Sequence, residues 1–165
     1  MSAAAATATY AERWNGHLGK AMRPLSEQDA RRRHESGELY TVLLGDADAP
    51  FAVLEVRLEA DFVGVHFLDE QRRKYLDYLF GRPAAARADG MLFLEQATHR
   101  VFDADGQPLA GTLYVFDPSG LVQVEEKDYA KREVERYKLE KDLSANWEPI
   151  PEFGNYESIA RIERE

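Results

Sequence analysis

At 165 residues with 44% apolar and 31% charged side chains, the chain has room for one ordinary domain with its own hydrophobic core and is too apolar for disorder. The absence of cysteine excludes a disulfide scaffold and a thiolate metal centre, and it fits a reducing compartment. The formal net charge of −9 argues against nucleic-acid and membrane partners, because a negative surface repels phosphates; it favours basic proteins instead.

The first nine residues, small and uncharged in "MSAAAATAT", read as a flexible tail. They lack the basic start and apolar run of a secretory signal. Residues 10–165 are taken as a single globular domain in a cytoplasmic protein. The first predicted element is a helix in "RPLSEQDARRRHESGE": Ser26 is the N-cap, Glu27 and Asp29 favour the first turn, Arg31, Arg32 and Arg33 load the second half, and Gly37 ends it. Its few apolar residues place it on the surface.

From Leu39 the apolar period changes to that of strands. The segments "LYTVLLG", "FAVLEVRLE", "FVGVHFL", "KYLDYLF", "MLFLEQATHRVF", "GTLYVFD" and "LVQVEEKD" follow one another, and "EVERYKLE" suits a strand or a helical turn. The links "GDADAP", "DEQ", "DADGQP" and "DPSG" are short turns, the last with Gly120 at positive φ. Connections this short make neighbours antiparallel. The expected fold is therefore mainly β: an antiparallel meander of seven or eight strands in a curled sheet, sandwich or partial barrel, with a short N-terminal helix and a C-terminal strap. Only "GRPAAARADG", residues 81–90, reads as a long mobile loop. Alternation assigns to the core Tyr40, Val42 and Leu44, then Leu54 and Val56, Val63, Val65 and Phe67, then Leu76, Tyr78 and Phe80, then Leu92 and Leu94. In the next strand either Leu113 and Val115 or Tyr114 and Phe116 face inward. Several strands are apolar on both faces and need covering. The segment "SANWEPIPEFGNYES" offers the cover: its prolines hold it extended, and Trp147, Ile150, Phe153 and Tyr156 can lie on the sheet. The other reading of the same aromatics is an anchor for a partner.

Residue types for chemistry are present without a pattern. His66 and His99 fall within strands, and the expectation is hydrogen-bonded strand histidines rather than a metal or acid–base pair. "DADG" starts like a calcium loop but has Pro108 and Tyr114 where the turn glycine and bidentate glutamate belong. Phosphate loops and nucleophile elbows are missing, and "RRRH" and "QRRK" read as solvated edges or partners for carboxylates. No enzyme, metal or cofactor is expected. Charge is uneven: residues 35–70 hold nine acids against Arg57 alone, while residues 1–34 hold six bases against three acids. The turn acids Asp46, Asp48, Asp69 and Glu70, with Glu59 and Asp61, are the candidate partner-binding residues. In a meander, Asp46 and Asp48 group with Asp69 and Glu70, since alternate turns share an end.

The ordered set "GELYTVLL", "FLDEQRRKYLDYLF", "GMLFLEQ", "DPSGLVQVEEKD" and "NWEPIPEFGNYESIARIER", spanning residues 37–164, resembles the immunity proteins encoded beside bacterial polymorphic toxins, including type VI and contact-dependent systems. The resemblance implies a cytoplasmic protein that binds one cognate toxin and blocks its active site or substrate groove, a groove expected to be basic. The alternative is a small-molecule-binding protein or enzyme with its site inside a partial barrel near His66, Asp77 and His99. An assembly or chaperone adaptor is a third option.

Overall fold

The computed structural model describes residues 6–84 and 90–164. Among the described residues every strand belongs to one antiparallel sheet of 11 strands that curls without closing. Strands β1 (Ala8–Asn15) and β2 (Lys20–Leu25) form a hairpin ahead of helix α1 (Glu27–Ser36). Then come β3 (Tyr40–Asp46), β4 (Ala49–Arg57), β5 (Phe62–Leu68), β6 (Lys74–Gly81), β7 (Met91–Phe102), β8 (Pro108–Phe116), β9 (Leu121–Asp128) and β10 (Glu133–Glu140). A short β11 (Trp147–Pro149) closes the series. The spatial order is β10-β9-β8-β7-β6-β5-β4-β3-β1-β2, with β11 beside β7. The meander from β3 to β10 is the expected one, and "EVERYKLE" is its last strand.

The main difference lies at the N-terminal end of the chain. Ala8 and Thr9, expected in the tail, pair with Leu44 and Leu43 in β1. The hairpin was illegible because its strands barely alternate: β2 contains Pro24 and the left-handed Arg23 (φ 55°). Pairing and the turn hold it instead. Asn15 Oδ1 accepts from the amides of His17 and Leu18, and Gly19 takes a positive φ. The loop expected at 81–90 falls largely on residues 85–89, outside the described residues.

Helix α1 forms as its caps dictate. Ser26 Oγ accepts from the Asp29 amide at 3.1 Å, and Gly37 ends the helix in the left-handed region, its N–H donating to the His34 carbonyl. The Gly37 carbonyl accepts from the Glu59 amide. The turns of the meander reuse one device: the carboxylates of Asp69, Asp103 and Asp117 each accept from the amide two residues on. Gly120 takes the positive φ its turn requires.

One face of the sheet carries the main core of Tyr40, Val42, Leu44, Leu54, Val56, Val63, Val65, Phe67, Tyr78, Phe80, Leu92 and Leu94, with Tyr114 and Phe116 packed alongside. Register shifts at Leu44/Gly45, Phe67/Leu68 and Leu79/Phe80 bend the strands and curl this face inward. Helix α1 covers it through Ala30, and the C-terminal segment through Tyr156 and Ile159. On the opposite face Leu43, Val53 and Leu68 are covered by the hairpin through Trp14. A third cluster joins Phe93, Val122, Val124 and Leu143, with Trp147 against Phe93 at 4.9 Å between ring centroids.

The C-terminal segment is thus a strap. Phe153 stacks on Tyr10 at 5.1 Å, under the Arg31 guanidinium. Tyr156 is 2% exposed, and its hydroxyl shares a hydrogen bond with that of Tyr40. Tyr78 donates from its hydroxyl to the Ile162 carbonyl. Glu148, on the core side of β11 opposite Leu92, is 1% exposed and pairs with Arg164 at 2.8 Å. Trp147 and Phe153 are half-buried rather than enclosed.

Candidate partner-binding surface

Antiparallel pairing sends alternate turns to opposite ends of the sheet. The β3–β4 turn with Asp46 and Asp48 therefore shares an end with the β5–β6 turn carrying Asp69 and Glu70. Glu59 and Asp61, in the β4–β5 connection, lie at the other end. The β7–β8 and β9–β10 turns fall at the first end, giving it four turns in a row.

The six acids are not equivalent. Asp46, Asp48 and Glu70 are exposed; Asp46 Oδ1 accepts from the Asp48 amide and otherwise faces solvent. Asp69 is committed to its turn. Its Oδ1 accepts from the amides of Gln71 and Arg73, and its Oδ2 from Arg73 Nε at 2.7 Å. Burial pushes the Asp69 carboxyl up, but these donors outweigh it and hold it below the ordinary range. Glu59 pairs with Arg57 at 2.9 Å. Arg72 and Arg73, just past the acidic run, sit in the same turn as Asp69 and Glu70 and offset part of that charge. Arg72 also donates to the Gly19 carbonyl, and with Lys20 and Asp48 it borders a surface depression of about 630 Å³.

Sequence reasoning missed the apolar half of this end. Phe51, Val101, Leu109 and Tyr129, each beside one of its turns, are 42–48% exposed. Phe51 rides over Gly45, where a Cβ would come within 2.9 Å of its ring; the glycine lets the ring lie flat on the strand end. Tyr129 also lies beside a glycine, Gly111, but more loosely: a Cβ there would stand 3.7 Å from its ring, an ordinary contact. A signal was available: both glycines stand within otherwise apolar strands. Five strand steps separate Phe51 from Tyr129, roughly 24 Å along an uncurled sheet.

The face opposite the main core carries a polar row across four strands. His66 Nδ1 bonds Asp77 Oδ1 at 2.6 Å, His66 Nε2 lies 3.3 Å from Glu55 Oε2, and Arg100 donates to the other Asp77 oxygen. His66 and Asp77 are buried. Burial favours neutral imidazole, but the two carboxylates outweigh it and raise the His66 pKa. Burial likewise pushes Asp77 up, and the bonds from His66 and Arg100 bring it below the usual value. Both His66 nitrogens are engaged, so the ring has neither a free base nor a free ligand atom. His99 is separated from this pair: it stands opposite Leu76 and Thr112, on the core side of the sheet, and is exposed. The register shift that leaves Glu95 unpaired also puts Phe93 on the other face from His99, although simple alternation groups them. Among the described residues no group of three His, Asp or Glu side chains is arranged to hold a metal ion.

The bases of "RRRH" work as carboxylate partners: Arg31 pairs with Glu27, Arg32 with Asp29 and Arg33 with Glu12. Among the described residues no helix is long and apolar enough to cross a membrane. No protein-family model matches this chain, and no curated protein or solved structure matches it either.

Proposed function

We propose that the protein is an immunity-type inhibitor, which binds a cognate bacterial toxin in the cytoplasm and occludes its active site or substrate groove. The observation that carries this reading is the end of the sheet with Asp46, Asp48 and Glu70 beside exposed Phe51, Val101, Leu109 and Tyr129. Apolar anchors among charged residues are the composition of a protein docking surface. The acids would steer a basic groove into place, and the aromatic rings would supply contact once water is excluded. The resemblance of the strand and strap motifs to toxin-immunity proteins points the same way.

A ligand site inside a partial barrel has less to support it. The concave face, where such a site would lie, is filled by Tyr156 and Ile159 of the strap. His66 and Asp77 bond each other on the opposite face.

The test is co-expression of the neighbouring gene's product with and without this protein, followed by affinity measurement on the purified pair. Asp46→Lys with Glu70→Lys should weaken association about tenfold at low salt and flatten its salt dependence, with an unchanged circular-dichroism spectrum. Phe51→Ser with Tyr129→Ser should weaken it at all salt concentrations. A pair that binds equally well with all four changes, or a neighbouring product that is harmless alone, would remove the proposal.

A further inference from the structure

The two long edges of the sheet are built differently. At one edge β2 is unsuited to further pairing, since Pro24 lacks an N–H and Arg23 breaks the extended run. At the other edge β10 pairs with β9 in unbroken register and contains neither proline nor glycine. It is exposed at all eight positions, with β9 its only strand neighbour among the described residues. Its Val134, Tyr137 and Leu139 are 49%, 40% and 38% exposed.

We propose that β10 pairs antiparallel with β10 of a second copy of the chain, about a two-fold axis through Lys138, joining the two sheets edge to edge. A two-fold axis normal to a sheet keeps each face continuous across the junction, so only residues of one face can stand opposite each other. That condition leaves few registers. Axes through Glu135 or Arg136 set like charges at the centre and place Tyr137 against a glutamate. An axis through Tyr137 sets Arg136 against Lys138, and one through Leu139 engages only the last three residues of β10. The axis through Lys138 sets Tyr137 opposite Leu139 and Arg136 opposite Glu140, each twice. Its one like-charge contact is the central lysine pair, whose long side chains can diverge into solvent.

The apolar pairs extend a row already in place, because Tyr137 stands opposite Val124, and Leu139 opposite Val122, within each chain. Charge supports a second copy over a basic partner here, since "EVERYKLE" carries both signs and the Lys138 axis sets Arg136 against Glu140. With β2 unsuited and β11 only three residues long and ending in Pro149, pairing stops at two copies instead of growing a fibre. The inference stands apart from the toxin-binding reading, which uses the turn end of the sheet.

The natural chain has no cysteine, so single cysteines report the register directly. Residues facing each other across a two-fold axis have Cα atoms about 4.5–5.5 Å apart, within reach of a disulfide. Residue 134 and its copy would be offset by eight positions, roughly 26 Å. The full-length chain should sediment as a reversible monomer–dimer mixture. Under mild oxidation Lys138→Cys should form covalent dimer at least about ten times faster than Val134→Cys or Leu139→Cys. Lys138→Gln, which removes the central repulsion, should tighten the dimer about three- to tenfold, and Glu140→Arg should loosen it by a similar factor. Circular dichroism of each variant checks the fold. A chain monomeric at every concentration, with Lys138→Cys no faster than Val134→Cys, overturns the proposal. So does fastest cross-linking at residue 134 or 139.

Discussion

Two buried ionic contacts decide more than their number suggests. Glu148 and Arg164 have side chains only 2% and 4% exposed, with the guanidinium also over the Phe80 ring at 4.8 Å. A buried pair contributes little net stability, but breaking it strands a charge. Arg164→Met should cost about 3–5 kcal/mol in urea unfolding, toward the lower end because Arg161 lies 3.6 Å from the same carboxylate. The double variant Glu148→Leu with Arg164→Met should recover most of that loss. His66 gives a pH signature instead. Its raised pKa means that its contribution is full below about pH 6.5 and is lost as pH rises through the folded value. The bond from His66 comes first in holding Glu55 low, and Asp77 is also held low despite burial; both contributions are lost as pH falls through their depressed values. The row is therefore most stabilising between about pH 4 and pH 6.5. The stability gap between the natural protein and His66→Gln should reach about 2–3 kcal/mol near pH 5.5 and narrow toward pH 9. A gap that widens with pH would show that the ring is held neutral.

At the scale of elements, the sequence was legible wherever local chemistry decides the structure. Ser26 and Gly37 cap the helix, the aspartate turns close the hairpins, and strict alternation marks the core faces from Tyr40 to Phe80. Alternation failed at Glu95, because an unpaired residue is invisible without its partner strand. It failed again at β2, where a left-handed arginine and a proline conceal a strand held by its neighbour. The candidate surface was half legible: acids can be counted along a chain, but the placement of Phe51 depends on Gly45 beneath it, and the exposure of Tyr129 on the turn it stands beside. The strap separates its residues by burial. Ile159, 1% exposed, should cost about 2–5 kcal/mol as Ile159→Ala. Trp147→Ala should cost about 2–3 kcal/mol, less than a fully enclosed tryptophan, because the residue is partly exposed. Gly37→Ala meets two obstacles, a φ of 83° and a Cβ placed 2.8 Å from the Glu59 amide nitrogen. Its melting temperature should fall by more than a cap substitution alone would give.

At the scale of the molecule, the sheet has its two apolar faces covered from opposite ends of the chain. The hairpin around Trp14 closes one face, and the strap from Trp147 to Arg164 closes the other. This division leaves the turn end of the sheet and the β10 edge free for contact. It also explains why a chain so rich in two-sided strands can expose a sheet of 11 strands without helices on both sides.

The bond between Tyr40 and Tyr156 spans 116 residues, whereas neighbouring strands of the meander meet across a single turn. Closing so long a loop comes late, because its entropy must be lost before its contacts form. Refolding should accordingly run in two phases, sheet and hairpin first and strap docking second. The chain has two tryptophans, one in each closure, so Trp14→Phe and Trp147→Phe variants separate the two clocks. In stopped-flow refolding, fluorescence from Trp14 should change before that from Trp147, and a single shared rate would mean that both faces close together.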